Sequence, residues 1–239
     1  MASEHIVHSY DTELSQLADT ILRMGGLVES QIAAAVAAVT ARDSTAASKI
    51  VADDRPIDEL ELDVERQVTK MLALRQPMAA DLRRVIGALR LAGDLERMGD
   101  LGANIAKRTI ALAQTGGGPS VWLIPRMAEL VQAMVKQVLD AFVTQDIDKA
   151  VAVWRRDQEV DEVYNSLFRQ LLTYMFEDPR NITACTHLLF VAKNLERIAD
   201  HATNMAEVIN FLQTGERDMG QRPKADTTST YVGTDRPED

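Results

Sequence analysis

One cysteine, Cys185, stands in 239 residues. No internal disulfide can form, and that thiol usage fits a reducing compartment. Aromatic residues make up only 5% of the chain, and β-branched alternation of the kind strands need is scarce, which argues against an all-β architecture. Positive charge is in the minority: 26 Lys and Arg against 36 Asp and Glu leave a net charge of −10. Nucleic-acid phosphates would be repelled, so no nucleic-acid partner is expected. No stretch of about 18 apolar residues runs unbroken, so no membrane span is expected. The first residues, with Glu4, His5 and Asp11, lack the basic region and apolar core of a signal peptide. Gly116-Gly117-Gly118 is not followed by the Lys-Ser/Thr of a phosphate-binding loop. No Ser/His/Asp or Cys/His arrangement has supporting context, so no catalytic set emerges. The expectation is a cytoplasmic, all-helical protein that is not an enzyme.

What is present is a hydrophobic content of 46%, enough for a core, built largely from helix formers. The chain also contains one stretch twice. Leu95-Glu96-Arg97-Met98-Gly99-Asp100 with Asn104 recurs as Leu195-Glu196-Arg197-Ile198-Ala199-Asp200 with Asn204, at an offset of 100. The repeat extends outward. Ile57, Leu60, Val64, Val68 and Met71 are matched by Val160, Val163, Leu167, Leu171 and Tyr174 at an offset of 103, as Asp43 is by Asp146. Pro77 finds its counterpart in Pro179.

Apolar steps of three and four predict helices over roughly 6–42, 45–74, 78–113, 120–145 and 181–213, with a fifth helix between the last two around Val160 to Tyr174. Ser44 or Thr45 is the expected cap of the second helix. The fold class is therefore all-α, with two tandem, pseudo-symmetric three-helix bundles. The first spans 1–115, a Gly/Pro linker occupies 116–119, the second bundle spans 120–214, and 215–239, without periodicity, reads as a disordered tail.

Residues four apart share a helix face, so Glu96 and Asp100 form one row and Glu196 and Asp200 another. Asp54 and Asp58 form a row on the second helix, and Asp157 and Asp161 on the fifth. Asp54 lies 23 residues before Pro77 and Asp100 lies 23 after it, so both stand roughly 35 Å from the turn at about 1.5 Å per residue. Asp157 and Asp200 lie 22 and 21 residues from Pro179. In each hairpin two acidic pairs thus face one another at one level. Like charges one turn apart destabilise an isolated helix by a few tenths of a kcal/mol, roughly 0.2–0.5 per pair, and that cost is placed twice. Oxygen-only donor sets suit hard or borderline cations such as Mg²⁺, Ca²⁺, Mn²⁺ or oxidised iron. His201 is matched by Leu101, so the Glu-x-x-His signature of di-iron bundles is missing, which counts against oxidase chemistry.

The same rows can equally be solvated faces or partners for cationic side chains. Arg97 and Arg197 are expected to point elsewhere, while Arg90, Arg108 and Lys193 are the cations placed to neutralise the rows. Cys185 reads as a small core residue, and Trp122 and Trp154 as packing or interface anchors. Three readings therefore stand: a metal-binding regulator, a metal-free helical adaptor, and a metal-dependent hydrolase or oxidase, for which neither a general base nor a substrate pocket is nominated.

Arg75-Gln76-Pro77-x-Ala79-x-Asp81-Leu82-Arg83, followed by Asp94-Leu95-Glu96-Arg97-Met98-Gly99-Asp100, resembles the signature of the PhoU family of phosphate-transport regulators. Asn194-Leu195-Glu196-Arg197-Ile198-Ala199-Asp200 is similar to that family's second half. The resemblance covers about 5–213 and implies two three-helix bundles side by side, often as a homodimer. It implies a divalent or trivalent metal ion (iron, zinc, manganese or magnesium) at Glu96/Asp100 and Glu196/Asp200, with Asp54/Asp58 and Asp157/Asp161 opposite. Glu61 and Glu65 form a competing pair on the second helix, but the second copy has Tyr164 and Phe168 there, which favours the Asp pairs. By the same resemblance the protein is a negative regulator of phosphate-starvation genes and of phosphate uptake. It would touch a sensor histidine kinase and the ATPase subunit of an ABC phosphate transporter.

Overall fold

A computed structural model describes residues 2–53, 55–115, 122–216, 219–220 and 224–228, with side chains from Tyr10 onward. Asp54 and the 116–119 linker lie outside the described residues. The described residues fold into seven α-helices and no strand: α1 Ala2–Ala41, α2 Ser44–Ala52, α3 Arg55–Arg75, α4 Ala79–Ala113, α5 Leu123–Thr144, α6 Ile147–Glu177 and α7 Ile182–Thr214, with a 3₁₀ turn at Pro179–Asn181 before α7.

Local chemistry sets the boundaries. Asp43, rather than Ser44 or Thr45, caps α2: its carboxylate accepts the backbone N–H groups of Thr45 and Ala46 at 2.9 Å. Asp146 repeats the device on α6, accepting from the N–H of Lys149 at 3.1 Å. The helix expected over 45–74 is two helices, α2 and α3. Pro56 supplies the reason: with no N–H and a ring that clashes one turn back, it is tolerated in the first turn of α3 and not in the middle of a longer helix. The corresponding helix of the second half, α6, has no internal proline and runs unbroken. Gly215 ends α7 in the left-handed region, φ 81°, with its N–H on the carbonyl of Phe211 at 2.9 Å.

The apolar stripes meet in one core that runs through both halves. Leu17, Ile21, Met24, Val28 and Ile32 on α1, Leu91, Leu95, Met98, Ile105 and Leu112 on α4, and Val191, Leu195, Ile198, Met205 and Ile209 on α7 are all buried in it. Each such side chain contributes about 1.5–3 kcal/mol by leaving water. The halves join where α4 lies antiparallel to α7: Arg90 sits over the ring of Phe211 and Arg108 over that of Phe190, so the start of one helix meets the end of the other. Gly87 permits this approach, because a Cβ there would stand 2.5 Å from Leu212.

Within α1, Tyr10–Ala41 is by length and mean hydropathy, 1.4, apolar enough to cross a membrane. Asp11, Glu13, Asp19, Arg23 and Glu29 interrupt it, so no 18 apolar residues run unbroken there. Its apolar stripe is spent on the bundle core. Trp154 is buried as expected, whereas Trp122 is 68% exposed and packs no core.

Candidate metal centres in the two acidic rows

The hairpins α3–α4 and α6–α7 carry the acidic rows, and each row is built by helical spacing alone. On α4, Glu96 and Asp100 stand one turn apart and both are partly buried; α3 brings Asp58, which is exposed, and the partly buried Glu61 within electrostatic range of Glu96. Burial, then the charge of Asp100, then those of Glu61 and Asp58, raise the proton affinity of Glu96 above the ordinary carboxylate, and Arg97 opposes them. Glu61 is raised likewise, first by burial and then by Glu65. Sequence reasoning set Glu61 aside for want of a counterpart in the second copy; the structure places it in the first row.

Arg97 does not point away. Its guanidinium lies 3.3 Å from Asp100 Oδ2 and 3.5 Å from Glu96 Oε2. Arg90 and Arg108, named from the sequence as neutralising cations, stack on Phe211 and Phe190 instead. Arg97 and Asp100 stand three residues apart on α4, an i,i+3 spacing that lets the long side chain reach the row from beside it.

The second row is more deeply placed. Asp157, Asp161 and Glu196 are buried, and Asp200 is partly buried. Thr203 Oγ1 donates to Asp157 Oδ1 at 3.3 Å. Lys193 Nζ stands 2.9 Å from Glu196 Oε2, one turn along α7, as the sequence allowed. Burial pushes Glu196 toward its neutral form; Lys193 pulls it back, and Asp200 and Asp161 push it up again. Asp161 is raised by burial although two backbone N–H groups, those of Ala225 and Asp226, hold its carboxylate. Those amides come from the tail, which was expected to be disordered. The described residues 224–228 are instead tied to α6 and α7. Nothing in the tail's composition announces this, because the contact depends on where α6 and α7 put Asp161 and Asn165.

The structure thus brings Glu96, Asp100, Asp58 and Glu61 together in one hairpin, and Asp157, Asp161, Glu196 and Asp200 in the other. Among the described residues, no three His, Cys, Asp or Glu side chains stand close enough together to hold a metal ion. Elsewhere, a cleft of about 560 Å³ opens among α1, α4, α5 and α7, lined by Leu14, Arg83, Arg84, Phe142 and Leu212 among others, and it contains none of the acidic-row residues.

The PhoU domain model matches residues 21–109 and again 124–209, one match in each half. The phosphate-specific transport system accessory protein PhoU homolog of Caulobacter vibrioides is 52% identical over 228 residues, covering 95% of this chain and 99% of that protein. Its namesake in Rhizobium meliloti is 48% identical over 238 residues, covering 96% and 98%. The crystal structure of PhoU from Pseudomonas aeruginosa superposes with a TM-score of 0.84 at 38% identity, over 87% of this chain and 100% of that one. The phosphate transport system regulatory protein PhoU from Streptococcus pneumoniae gives 0.81 at 31% identity, over 87% and 99%.

Proposed function

The chain belongs to the PhoU family, and from that premise we propose that it regulates phosphate uptake and phosphate-starvation signalling through protein–protein contact. The supporting observation is the near-complete match to proteins named as accessory to a phosphate-specific transport system. Its partners are the ATPase subunit of an ABC phosphate transporter and a sensor histidine kinase, which it holds in the repressing state when phosphate is ample. It acts in the cytoplasm, as a homodimer, and without catalysing a reaction. Its two halves are the units of the repeat, 1–115 and 120–214.

The acidic rows fit a hard cation in their donor chemistry. In the first half Arg97 stands against Glu96 and Asp100, and the burial and mutual repulsion that raise Glu96 and Glu61 are what a bound ion would offset. Asp58, Glu61, Glu96 and Asp100 would hold the ion there, with Asp54 beside them in sequence; Asp157, Asp161, Glu196 and Asp200 are the corresponding set. Bound there, a divalent or trivalent ion (iron, zinc, manganese or magnesium) supplies positive charge that fixes α3 to α4. The residues' own task is to hold each hairpin rigid so that its outer face is presented to a partner.

The test is complementation in a bacterium lacking its own copy, with a phosphate-starvation reporter in ample phosphate. Restored repression is the expected result, together with co-purification of the transporter's ATPase subunit. A constitutively active reporter despite normal protein levels would refute the regulatory reading. Elemental analysis of native-purified protein, beside Glu96→Gln/Asp100→Asn, tests the metal separately. Stoichiometric metal lost in the variant supports it, and no metal in either leaves a metal-free adaptor.

A further inference from the structure

The two rows differ in what lies across them. In the second half, Asp161 Oδ2 accepts the backbone N–H groups of Ala225 at 2.8 Å and Asp226 at 3.1 Å. Asn165, one turn along α6, brackets the same stretch: its Nδ2 donates to the Ala225 carbonyl at 2.6 Å and its Oδ1 accepts the Thr227 N–H at 3.2 Å. Lys224 Nζ reaches to 3.6 Å from Asp200 Oδ1. Asp226 Oδ2 stands 3.4 Å from Lys193 Nζ, so Lys193 joins Glu196 to the strap. Asp226 also stiffens the segment from within, accepting from the N–H of Thr228 at 2.9 Å and from its hydroxyl at 2.7 Å. Two amide protons at Asp161 and an ammonium at Asp200 are the kind of charge relief that an outside cation would bring.

The first half is not made to receive such a segment. At the repeat offsets, Asn165 is matched by Leu62, Tyr164 by Glu61 and Lys193 by Gly93. Leu62 cannot bracket a peptide, Glu61 adds negative charge, and Gly93 supplies no cation. Among the described residues, no tail residue is hydrogen-bonded to Glu96 or Asp100. Matched halves have thus diverged at Asn165, which brackets the strap, at Tyr164, which is hydrogen-bonded to Thr228, and at Lys193, which joins the strap to Glu196.

We infer that the α6–α7 acidic row is a docking site for the chain's own Lys224–Thr228 segment, and that this strap occupies the row in place of an outside cation. The α3–α4 row is left to take one from solution. This rests on the reading of the rows as cation sites. Few charge-assisted hydrogen bonds hold the strap, and they are opposed by the entropy of ordering five residues, so the latch opens and closes reversibly.

Hydrogen exchange and Mn²⁺ titration on the full chain test it, with Asn165→Ala and Lys224→Ala compared with the parent. In the parent the Ala225 and Asp226 amides should exchange at least roughly ten-fold more slowly than free peptide, and Asn165→Ala should abolish that protection. Electron paramagnetic resonance should count one bound Mn²⁺ in the parent and a second in Asn165→Ala. Free-peptide exchange in the parent overturns the docking. A protected strap with the same Mn²⁺ count in parent and variants overturns the displacement. The Glu96→Gln/Asp100→Asn variant separates the two failures: Mn²⁺ lost there, with the count in Asn165→Ala unchanged from the parent, means that the first row binds and the strap idea alone is wrong. No Mn²⁺ in any protein means that the cation reading has failed with it.

Discussion

Lys193 Nζ lies 2.9 Å from Glu196 Oε2, and Glu196 is only 5% exposed. One turn of α7 therefore carries both a buried carboxylate and the cation that makes its burial tolerable. The equivalent turn of α4 has Gly93 and Glu96, without that cation. The two halves share a backbone plan and differ in how their acid is neutralised.

Lys193→Met should destabilise the protein by about 1 kcal/mol, discounted from a fully buried pair because Lys193 is itself substantially solvated. Adding Glu196→Gln should recover most of that loss. Urea denaturation of the two single variants and the double variant closes the cycle, and additive effects would show that the pair is not coupled.

Glu96 has its proton affinity raised in the folded state, from an ordinary value of 4.5, by burial and by Asp100. A raised carboxylate favours folding most below its unfolded value, and that contribution is lost as pH rises through the higher folded value. In metal-free protein, Glu96→Gln should therefore raise stability at pH 7 relative to the parent, with the gain shrinking as pH falls through the raised folded value and gone below about pH 4.5. Thermal unfolding across that range measures it; a gain that grows on acidification would contradict the assignment.

Glu13 runs the opposite way. Its two carboxylate oxygens take Arg75 Nε at 3.1 Å and a second guanidinium nitrogen at 3.2 Å, tying α1 to the end of α3. The hydrogen bond from Arg75 holds Glu13 below its ordinary 4.5. Its contribution is present above that value and lost as pH falls through the lower folded value. Glu13→Gln should lower the melting temperature at neutral pH and leave it unchanged in strong acid. Equal losses at both extremes would mean that packing, not charge, is at stake.

Leu95 opens the repeated motif and is fully buried. Leu95→Ala should cost about 2–5 kcal/mol, while Leu82→Ala, on the same helix but 39% exposed, should cost well under 1 kcal/mol. Comparable losses would place the α4 core stripe elsewhere.

Much of this architecture is legible in the chain. The helical stripes, the hairpin turns near Pro77 and Pro179 and the facing of the acidic rows follow from periodicity and from counting residues on either side of a turn. The break between α2 and α3 is also written there, in Pro56, although an apolar pattern that continues across it points to one helix. The Arg97 contact is legible as well, because Arg97 stands three residues before Asp100, an i,i+3 spacing at which side chains meet.

The sequence by itself determined the helices, their duplication and the family, because these depend on local spacing and on residues near one another in the chain. Only the tertiary structure decided that the halves share one core through α4 and α7, and that Lys224 to Thr228 return to Asp161 and Asn165 some 60 residues earlier. The physical reason is range. A helix is set by residues within a turn or two, whereas the strap depends on a surface that exists only once α6 and α7 have packed side by side.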